Sequence, residues 1–145
     1  MSRTNLQTVG LLLVASLVAG PTNAGARSYD VMGRRYQILD TAEGYRERGV
    51  ASWYGSKFHG NATASGEIFD MHAMTAADKT LPIPTDVEVT NLRNGKTVIL
   101  RINDRGPFLD DRVIDVSYGA AQELDLVEPG IGLVEIRALG PAREP

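Results

Sequence analysis

The stretch VEVTNLRNGKTVILRI, residues 87–102, contains two β-rich runs that flank Asn94-Gly95. In the first run valines alternate with polar residues, and the second run, residues 97–102, is dominated by β-branched and apolar side chains. Asn and Gly both tolerate positive φ, so this pair between two such runs indicates a β-hairpin. The sequence therefore predicts two antiparallel strands joined at Asn94-Gly95.

Shorter elements surround this hairpin. Further strands are predicted at residues 50–54, 113–116 and 131–138, and one or two short helices at residues 71–77 and 118–124. Ser117 precedes the second helix and can cap it by accepting a backbone N–H bond. Several short strands with Gly-rich turns in about 90 residues favour an all-β fold, a small barrel, over an α/β sheet.

Composition and charge exclude several classes of protein. The chain has 145 residues, of which 43% are hydrophobic and 23% charged, and its formal net charge is −3. These proportions are ordinary for one globular domain. A nucleic-acid-binding domain of this size would show a basic face, and the acidic balance gives no drive toward DNA, RNA or anionic membranes. Nucleic acid is therefore not an expected partner.

The first 24 residues have the pattern of a secretory signal. Arg3 gives a basic start, residues 9–20 carry no charge, and small residues precede a cleavage point after Ala24, or alternatively after Ala26. A helix of this apolar stretch would span about 18 Å, too short for a bilayer core of about 30 Å. We therefore expect export to the periplasm or cell envelope.

The same pattern divides the chain into segments. After the signal, residues 25–48 show no sustained period and are interpreted as an extended arm, followed by the domain at residues 49–139 and a tail at residues 140–145. The sequence contains no cysteine. This excludes disulfides and thiolate zinc sites, and it predicts a protein without a lipid anchor.

Few residues offer catalytic chemistry other than acid–base chemistry. His59 and His72 do not stand in a His-Glu-x-x-His motif, and no nucleophile elbow or Gly-rich phosphate loop occurs. No metal and no cofactor are expected. Carboxylates remain the candidates, and they lie at Glu67, Asp78, Asp104 and Asp115.

Paired carboxyl groups suit the cleavage of glycosidic bonds. One with a raised pKa can protonate the leaving oxygen, while an ionised partner stabilises positive charge at the anomeric carbon. Structural alternatives stay open: Asp104 lies among turn-forming residues, and Asp115 could face solvent from its strand or bond a neighbouring backbone. Trp53, Tyr54 and Phe58 could stack on sugar rings, although aromatic residues in strands are also typical of a core.

A series of motifs resembles the rare lipoprotein A family over residues 49–139. They are GVASWYG (49–55), KFHG (57–60), TASGE (63–67), KTLP (79–82), VTNLRNG (89–95), NDRGPF (103–108) and VIDVS (113–117), with GRRY (33–36) upstream. The resemblance implies a six-stranded double-psi β-barrel. It also implies lytic transglycosylation of peptidoglycan glycan strands, with a preference for strands that lack stem peptides and with 1,6-anhydro-muramic ends as products.

The resemblance also assigns the two catalytic residues, and the sequence adds supporting and glycan-binding candidates. It matches the catalytic carboxylates to Asp104, as acid/base, and Glu67, as its partner, or to the same two residues in the reverse order. Supporting side chains are expected from Asp78, Asp115 and Arg105. The glycan is expected to contact Trp53, Tyr54 and His59.

This sequence departs from the family pattern at one loop position. The family motif AAHKTLP has histidine where this chain has Asp78. A third carboxylate near Glu67 or Asp104 would raise a neighbour's pKa, or the loss of an essential imidazole would leave a protein that binds glycan without cleaving it. A non-catalytic glycan-binding or wall-loosening module is therefore the alternative function, and a hydrolase is a third. The family's C-terminal glycan-binding repeat is also missing from the sequence, so targeting through it is not expected.

Overall fold

The computed structural model describes residues 27–143, and the predicted signal segment lies outside them. The elements in chain order are β1 Ser28–Val31, β2 Arg34–Gln37, β3 Arg46–Tyr54, a 3₁₀ turn Ser56–Phe58, β4 Thr75–Ala77, β5 Thr85–Asn91, β6 Thr97–Asp104, β7 Arg112–Ser117, α1 Tyr118–Leu124 and β8 Ile131–Pro141. No helix in this part of the chain is long and apolar enough to cross a bilayer.

Six strands close into a barrel in the order β3-β7-β4-β6-β5-β8, with β8 pairing back onto β3. The pairing is mixed, because β3–β7 and β4–β6 are parallel and the other neighbours are antiparallel. Strands β5 and β6 form the predicted hairpin, in which Gly95 has a φ of 76° and donates to the carbonyl of Asn91 at 2.8 Å. The all-β expectation and the six-stranded barrel are confirmed.

Apolar side chains from all six strands fill the inside of the barrel. This barrel core contains Ala51, Ala76, Val87, Val89, Leu100, Ile102, Ile114, Val116, Val134 and Ile136. Helix α1 adds Ala120, Ala121 and Leu124 to it. The predicted helix cap is confirmed, because the Ser117 hydroxyl accepts a bond from the Ala120 N–H at 3.1 Å. Alternate residues of each strand face away from this core.

The helix predicted at residues 71–77 is wrong. Its last three residues form strand β4, whose Ala76 pairs with Ile102 of β6 on one side and Val116 of β7 on the other. A short apolar segment can form either element, and here the two flanking strands provide its hydrogen bonds. Pairing across the barrel therefore decides the structure of this segment.

The expected extended arm also differs from the structure. Residues 28–37 form the hairpin β1–β2, which turns at Met32 and Gly33 with φ of 50° and 76°. Tyr29 and Tyr36 stack on each other at 5.3 Å and both contact Phe108, which lies in the loop after β6. The hairpin is thereby packed against the loop that follows Asp104. The barrel itself begins at Arg46 and ends at Pro141, beyond the predicted limits.

Residues 55–74, here called the lobe, cover part of the outer wall of the barrel. Phe58 and Phe69 of the lobe pack with Tyr54 and Ala77 into a second, smaller hydrophobic cluster. The start of α1 holds the other side of the lobe, since the Gly119 N–H donates to the carbonyl of Met71 at 2.8 Å. A side chain at Gly119 would meet the His72 carbonyl at 2.5 Å, so only glycine allows this approach.

Candidate active site

A row of four residues crosses the outer wall under the lobe. Ser52 of β3 pairs with Asp115 of β7, Asp115 pairs with Ala77 of β4, and Ala77 pairs with Asp104 of β6. A shift of register after Ala76 places Asp104 opposite Ala77. Paired residues point to the same face of a sheet, so both carboxyl groups lie on one side with only a methyl group between their positions. We call this row, with Tyr54 and Thr75 beside it, the carboxyl layer.

Asp104 is completely buried at the end of β6. Its Oδ1 accepts bonds from the N–H groups of Ala64, at 3.1 Å, and Arg105, at 2.9 Å, while its Oδ2 has no partner. Burial raises the pKa of Asp104 to about 7, and the two backbone hydrogen bonds offset only part of that effect. The environment therefore favours a protonated carboxyl group near neutral pH.

Asp115 is also completely buried, which rules out the alternative in which it faces solvent. The Ser52 hydroxyl donates to its Oδ1 at 2.7 Å, and its Oδ2 has no partner. Burial raises the pKa of Asp115 to about 7, and the negative charge of Asp104 contributes in the same direction.

Tyr54 lies between these carboxyl groups and the lobe. Its ring has no exposed surface and packs on Phe69 with ring centres 4.6 Å apart. Its hydroxyl has no hydrogen-bond partner, and its pKa is raised by burial first and then by the charges of Asp104 and Asp115. The lobe covers the Tyr54 ring in this structure, so the predicted contact between Tyr54 and glycan would require the lobe to move, and it stays a prediction.

Glu67 differs from Asp104 in burial and in partners. Its side chain is 36% exposed, and both its oxygens contact Arg101, at 3.2 Å through Nε and at 3.0 Å through a terminal nitrogen. The pKa of Glu67 is lowered, chiefly by the hydrogen bond from Arg101 and further by contacts with Asn103 and Ser65. The environment therefore keeps this carboxylate ionised.

The loop at residues 63–67 contacts both carboxyl groups. Its Ala64 N–H bonds to Asp104, and its Ser65 N–H donates to the carbonyl of Asn103 at 3.1 Å. The Ser65 hydroxyl then donates to Glu67 at 3.0 Å. The structure thus places a buried carboxyl group directly beneath the loop that presents an exposed one.

Asp78 has a different part in the structure from the one expected. Its Oδ1 accepts bonds from the N–H groups of Thr80 and Leu81, both at 2.8 Å, and its Oδ2 accepts one from the Tyr45 hydroxyl at 3.3 Å. The charges that shift the pKa of Asp104 and Glu67 come from other residues. The carboxyl group of Asp78 therefore holds the turn that follows β4.

Arg105 stabilises the loop after Asp104 through hydrogen bonds to backbone carbonyls. One of its terminal nitrogens donates to the carbonyls of Asp78, at 3.2 Å, and Leu81, at 2.6 Å. The guanidinium also lies over the ring of Tyr29, 5.7 Å from its centre. Arg105 therefore links the loop to the N-terminal hairpin and makes no side-chain bond to Asp104.

The remaining predicted glycan contacts lie on the surface of the lobe and beside it. Trp53 is half-buried and packs on Tyr118 at 5.4 Å, and its indole Nε1 is buried without a partner. His59 is exposed, its Nδ1 accepts a bond from the Met71 N–H at 3.1 Å, and its ring lies 6.2 Å from that of His72. Within residues 27–143 no group of three or more acidic or histidine side chains could hold a metal ion.

Two contributors to the site were missed from the sequence. Arg101 and Ser52 fix one carboxyl group each, Glu67 and Asp115. The period-two pattern along β3 places Ser52 on the same face as Tyr54, and this pattern is the sequence signal that could have identified Ser52. The ion pair of Arg101 with Glu67 joins residues 34 positions apart and had no local signal.

Comparison with known proteins identifies the family of this chain. A family model described as lytic transglycolase matches residues 46–136. The endolytic peptidoglycan transglycosylase RlpA of Pseudomonas aeruginosa is 53% identical over 118 residues, which cover 81% of this chain and 35% of that protein. The RlpA protein of Vibrio cholerae is 51% identical over 115 residues, covering 79% of this chain and 44% of that protein. The chain thus spans less than half the length of these relatives.

A solved structure gives the same fold. The Streptomyces papain inhibitor superposes with a TM-score of 0.52 and 24% identity, covering 65% of this chain and 96% of that one. This likeness concerns the fold alone, and with the family match it confirms the double-psi β-barrel. With the family model matched over the barrel from Arg46 to Ile136 and relatives at about half identity, the chain belongs to the lytic transglycolase family.

Proposed function

We propose that this domain cleaves peptidoglycan glycan strands as an endolytic lytic transglycosylase, with Asp104 as acid and base and Glu67 as its ionised partner. The observation that supports the proposal is the difference in pKa between Asp104, at the end of β6, and Glu67, in the loop that covers it. Burial raises the pKa of Asp104 to about 7, whereas Arg101 lowers the pKa of Glu67. Two carboxyl groups whose pKa values are separated in this way suit an acid and a charge stabiliser.

The reaction follows from these protonation states. Asp104 donates its proton to the glycosidic oxygen between N-acetylmuramic acid and N-acetylglucosamine, and the bond from that oxygen to C1 breaks. The carboxylate of Glu67 stabilises the positive charge that develops at C1. The muramic C6 hydroxyl then attacks C1 and returns its proton to Asp104. The products are a 1,6-anhydro-muramic end and a free hydroxyl on the glucosamine, with no water consumed.

Access to Asp104 requires a movement of the loop at residues 63–67. The residue has no exposed surface, and the Ala64 N–H that bonds to it belongs to this loop. We infer that glycan binding displaces the loop and brings Glu67 and the uncovered Asp104 to the same sugar.

The substrate and location are inferred with the activity. Glycan strands that lack stem peptides are the proposed preferred substrate. The signal pattern before Ala24 supports export to the envelope, where such strands occur. Trp53 and His59 are proposed to contact the glycan, since Trp53 lies beside the lobe that carries Glu67 and His59 is exposed on it.

Digestion of purified naked glycan strands, with mass spectrometry of the ends, tests the proposal. We expect 1,6-anhydro-muramic ends from the protein as it stands. Cleavage by Asp104→Asn should fall by roughly 10²–10⁴-fold, the usual contribution of a general acid–base group. Asp40→Asn, on an exposed loop, is the matched control and should cleave normally.

Each other outcome contradicts the proposal in a distinct way. Reducing ends would identify a hydrolase. Unchanged strands that the protein nevertheless retains in a pull-down would identify a non-catalytic binding module, which the complete burial of Asp104 favours as the second candidate. Loss of cleavage in Asp104→Asn together with loss of the folded circular dichroism spectrum would mark Asp104 as structural.

A further inference from the structure

Four aromatic and imidazole rings form a continuous row at the surface, outside the carboxyl layer. The ring of Trp53, on β3, lies 5.4 Å from that of Tyr118, the first residue of α1. The Tyr118 ring lies 6.2 Å from that of His72, and the His72 ring lies 6.2 Å from that of His59. We call these four residues the ring row. It links the barrel, the helix and the lobe.

The ring row differs in exposure from the aromatic rings of the lobe's hydrophobic cluster, which are buried. His59 and His72 are exposed, and Trp53 and Tyr118 are half-buried, although Trp53 also packs against the barrel core. Neighbouring rings of the row meet at angles between 57° and 82°, so none is stacked face to face on the next. The row therefore presents ring surface that a ligand could cover.

Local hydrogen bonds fix the row in place before any ligand binds. The Gly119 N–H donates to the carbonyl of Met71 at 2.8 Å, which joins the residues next to Tyr118 and His72. Nδ1 of His59 accepts a bond from the Met71 N–H at 3.1 Å. Groups that are already ordered lose little conformational freedom on binding, so their contacts contribute more of their energy to affinity.

The chemistry of the row matches an N-acetylated sugar, which presents an apolar C–H face and carbonyl acceptors. The C–H face can pack on the electron-rich faces of the rings. Because Nδ1 of His59 accepts a bond, the neutral imidazole carries its hydrogen on Nε2 and can donate it to an N-acetyl carbonyl. The Tyr118 hydroxyl accepts a bond from Gln122 at 3.3 Å and retains its own hydrogen to donate.

The lobe connects the ring row to the proposed catalytic carboxylate. At one end of a short ladder in the lobe, the Gly60 N–H donates to the carbonyl of Phe69 at 2.9 Å. At the other end, the Thr63 N–H donates to the carbonyl of Glu67 at 2.8 Å. His59 directly precedes the first of these ends. A long, repeating glycan that reaches Glu67 can therefore continue along the lobe to the row.

We infer that the ring row is an accessory binding site for N-acetylated sugars, which holds a part of the glycan strand away from the bond that is cleaved. It adds Tyr118 and His72 to the two glycan contacts proposed above. Peptidoglycan as the source of these sugars rests on the proposed function, whereas the binding of an N-acetylated oligosaccharide does not.

NMR titration tests the site directly, because the chain's only tryptophan and both its histidines lie in the row. Addition of the N-acetylglucosamine tetramer should shift the indole N–H signal of Trp53 and the ring signals of His59 and His72. The glucose tetramer, which lacks N-acetyl groups, should bind more weakly. Ring signals that stay unchanged with the first tetramer, or equal binding of the two tetramers, would overturn the inference.

Variants at Tyr118 and His72 test whether the rings themselves bind the sugar. Tyr118→Leu and His72→Ala should each raise the dissociation constant roughly 2–10-fold, the range of one ring contact. Tyr118→Phe keeps the ring and should lose less than Tyr118→Leu. Lys57→Ala, at an exposed position of the lobe outside the row, is the control and should bind as the native protein does. Folded Tyr118→Leu and His72→Ala proteins that bind like this control would show that the row only packs the lobe against α1.

The kinetics of strand cleavage separate this inference from the proposed function. His72→Ala should raise KM for long strands with kcat nearly unchanged, because a contact away from the reacting bond binds substrate and transition state alike. A lower kcat with an unchanged KM would overturn the accessory role. If the native protein binds the tetramer at the row but cleaves no strands, the proposed function fails and this inference stands. Cleavage without any binding at the row would have the opposite meaning.

Discussion

The barrel core and the carboxyl layer lie on opposite faces of the same strands, yet they are built differently. Within residues 27–143, the inner face contributes apolar side chains from all six strands. On the outer face, under the lobe, unpartnered polar atoms occur at Tyr54, Thr75, Asp104 and Asp115. Buried polar groups usually have hydrogen-bond partners, and clusters that lack them commonly mark sites of chemistry. The inner face thus stabilises the fold, while the buried, unpartnered polar atoms of the outer face lower its stability.

The largest expected effect comes from the barrel core. Ile136 of β8 is completely buried there, so Ile136→Ala removes apolar contacts and leaves a cavity. We expect a loss of about 2–5 kcal/mol in the free energy of unfolding, measured by urea denaturation and independent of pH between 4 and 8. Leu133→Ala on the same strand is the control, because that side chain is 59% exposed and its loss should cost less than about 0.5 kcal/mol.

Removing a carboxyl group from the carboxyl layer should raise the free energy of unfolding, and the gain should depend on pH. Burial raises the pKa of Asp115 from an ordinary value near 4 to about 7, so the folded state binds the proton more tightly than the unfolded state. Stability from this proton is complete below about pH 4 and declines as the pH rises toward 7.

Asp115→Asn should therefore match the native protein near pH 4 and exceed it by about 1–3 kcal/mol at pH 8, since each pKa unit corresponds to about 1.4 kcal/mol. Thermal melts across this pH range measure the difference. Asp40→Asn should show no such trend. A variant that is less stable than the native protein at pH 8 would remove the contrast between the two faces.

Asp78 sharpens the comparison, because it is a buried carboxyl group whose hydrogen bonds are satisfied. Asp78→Ala leaves the N–H groups of Thr80 and Leu81 without an acceptor. The substitution should lower the unfolding free energy by roughly 1–3 kcal/mol. Asp78→Asn keeps an acceptor oxygen and should lose less than half as much. Equal losses in calorimetry would show that the charge of Asp78, and not its acceptor, stabilises the turn.

Local chemistry explains which parts of the fold the sequence predicts. The Asn94-Gly95 turn and the Ser117 cap depend on neighbours a few residues away, and both were found. Strand β4 was mistaken for a helix, because its three residues are defined by partners on β6 and β7. The β1–β2 turn was missed since Met32 rarely adopts positive φ, although Gly33 follows it.

The site shows the same division. The motif resemblance predicted Asp104 and Glu67 as the catalytic pair, which stays a prediction, and the loop at residues 63–67 contacts both side chains. Composition could not predict that Asp115 would be buried beside Asp104, because that depends on the pairing of two strands through β4. The Asp78 side chain turns back to its own loop, a contact that the departure from the family motif did not indicate.

The smallest expected effect is a difference in unfolding free energy between the removal of two tyrosine hydroxyls. In the carboxyl layer the Tyr54 hydroxyl is buried without a partner, whereas the Tyr29 hydroxyl donates to the carbonyl of Lys79 at 2.6 Å. Removing an unsatisfied polar atom costs no hydrogen bond, so Tyr54→Phe should change the unfolding free energy by less than about 1 kcal/mol, toward greater stability. Tyr29→Phe should lose about 1 kcal/mol. Urea denaturation of both variants at pH 7 gives the comparison, and a larger loss for Tyr54→Phe would mean that its hydroxyl stabilises the carboxyl pair in the folded protein.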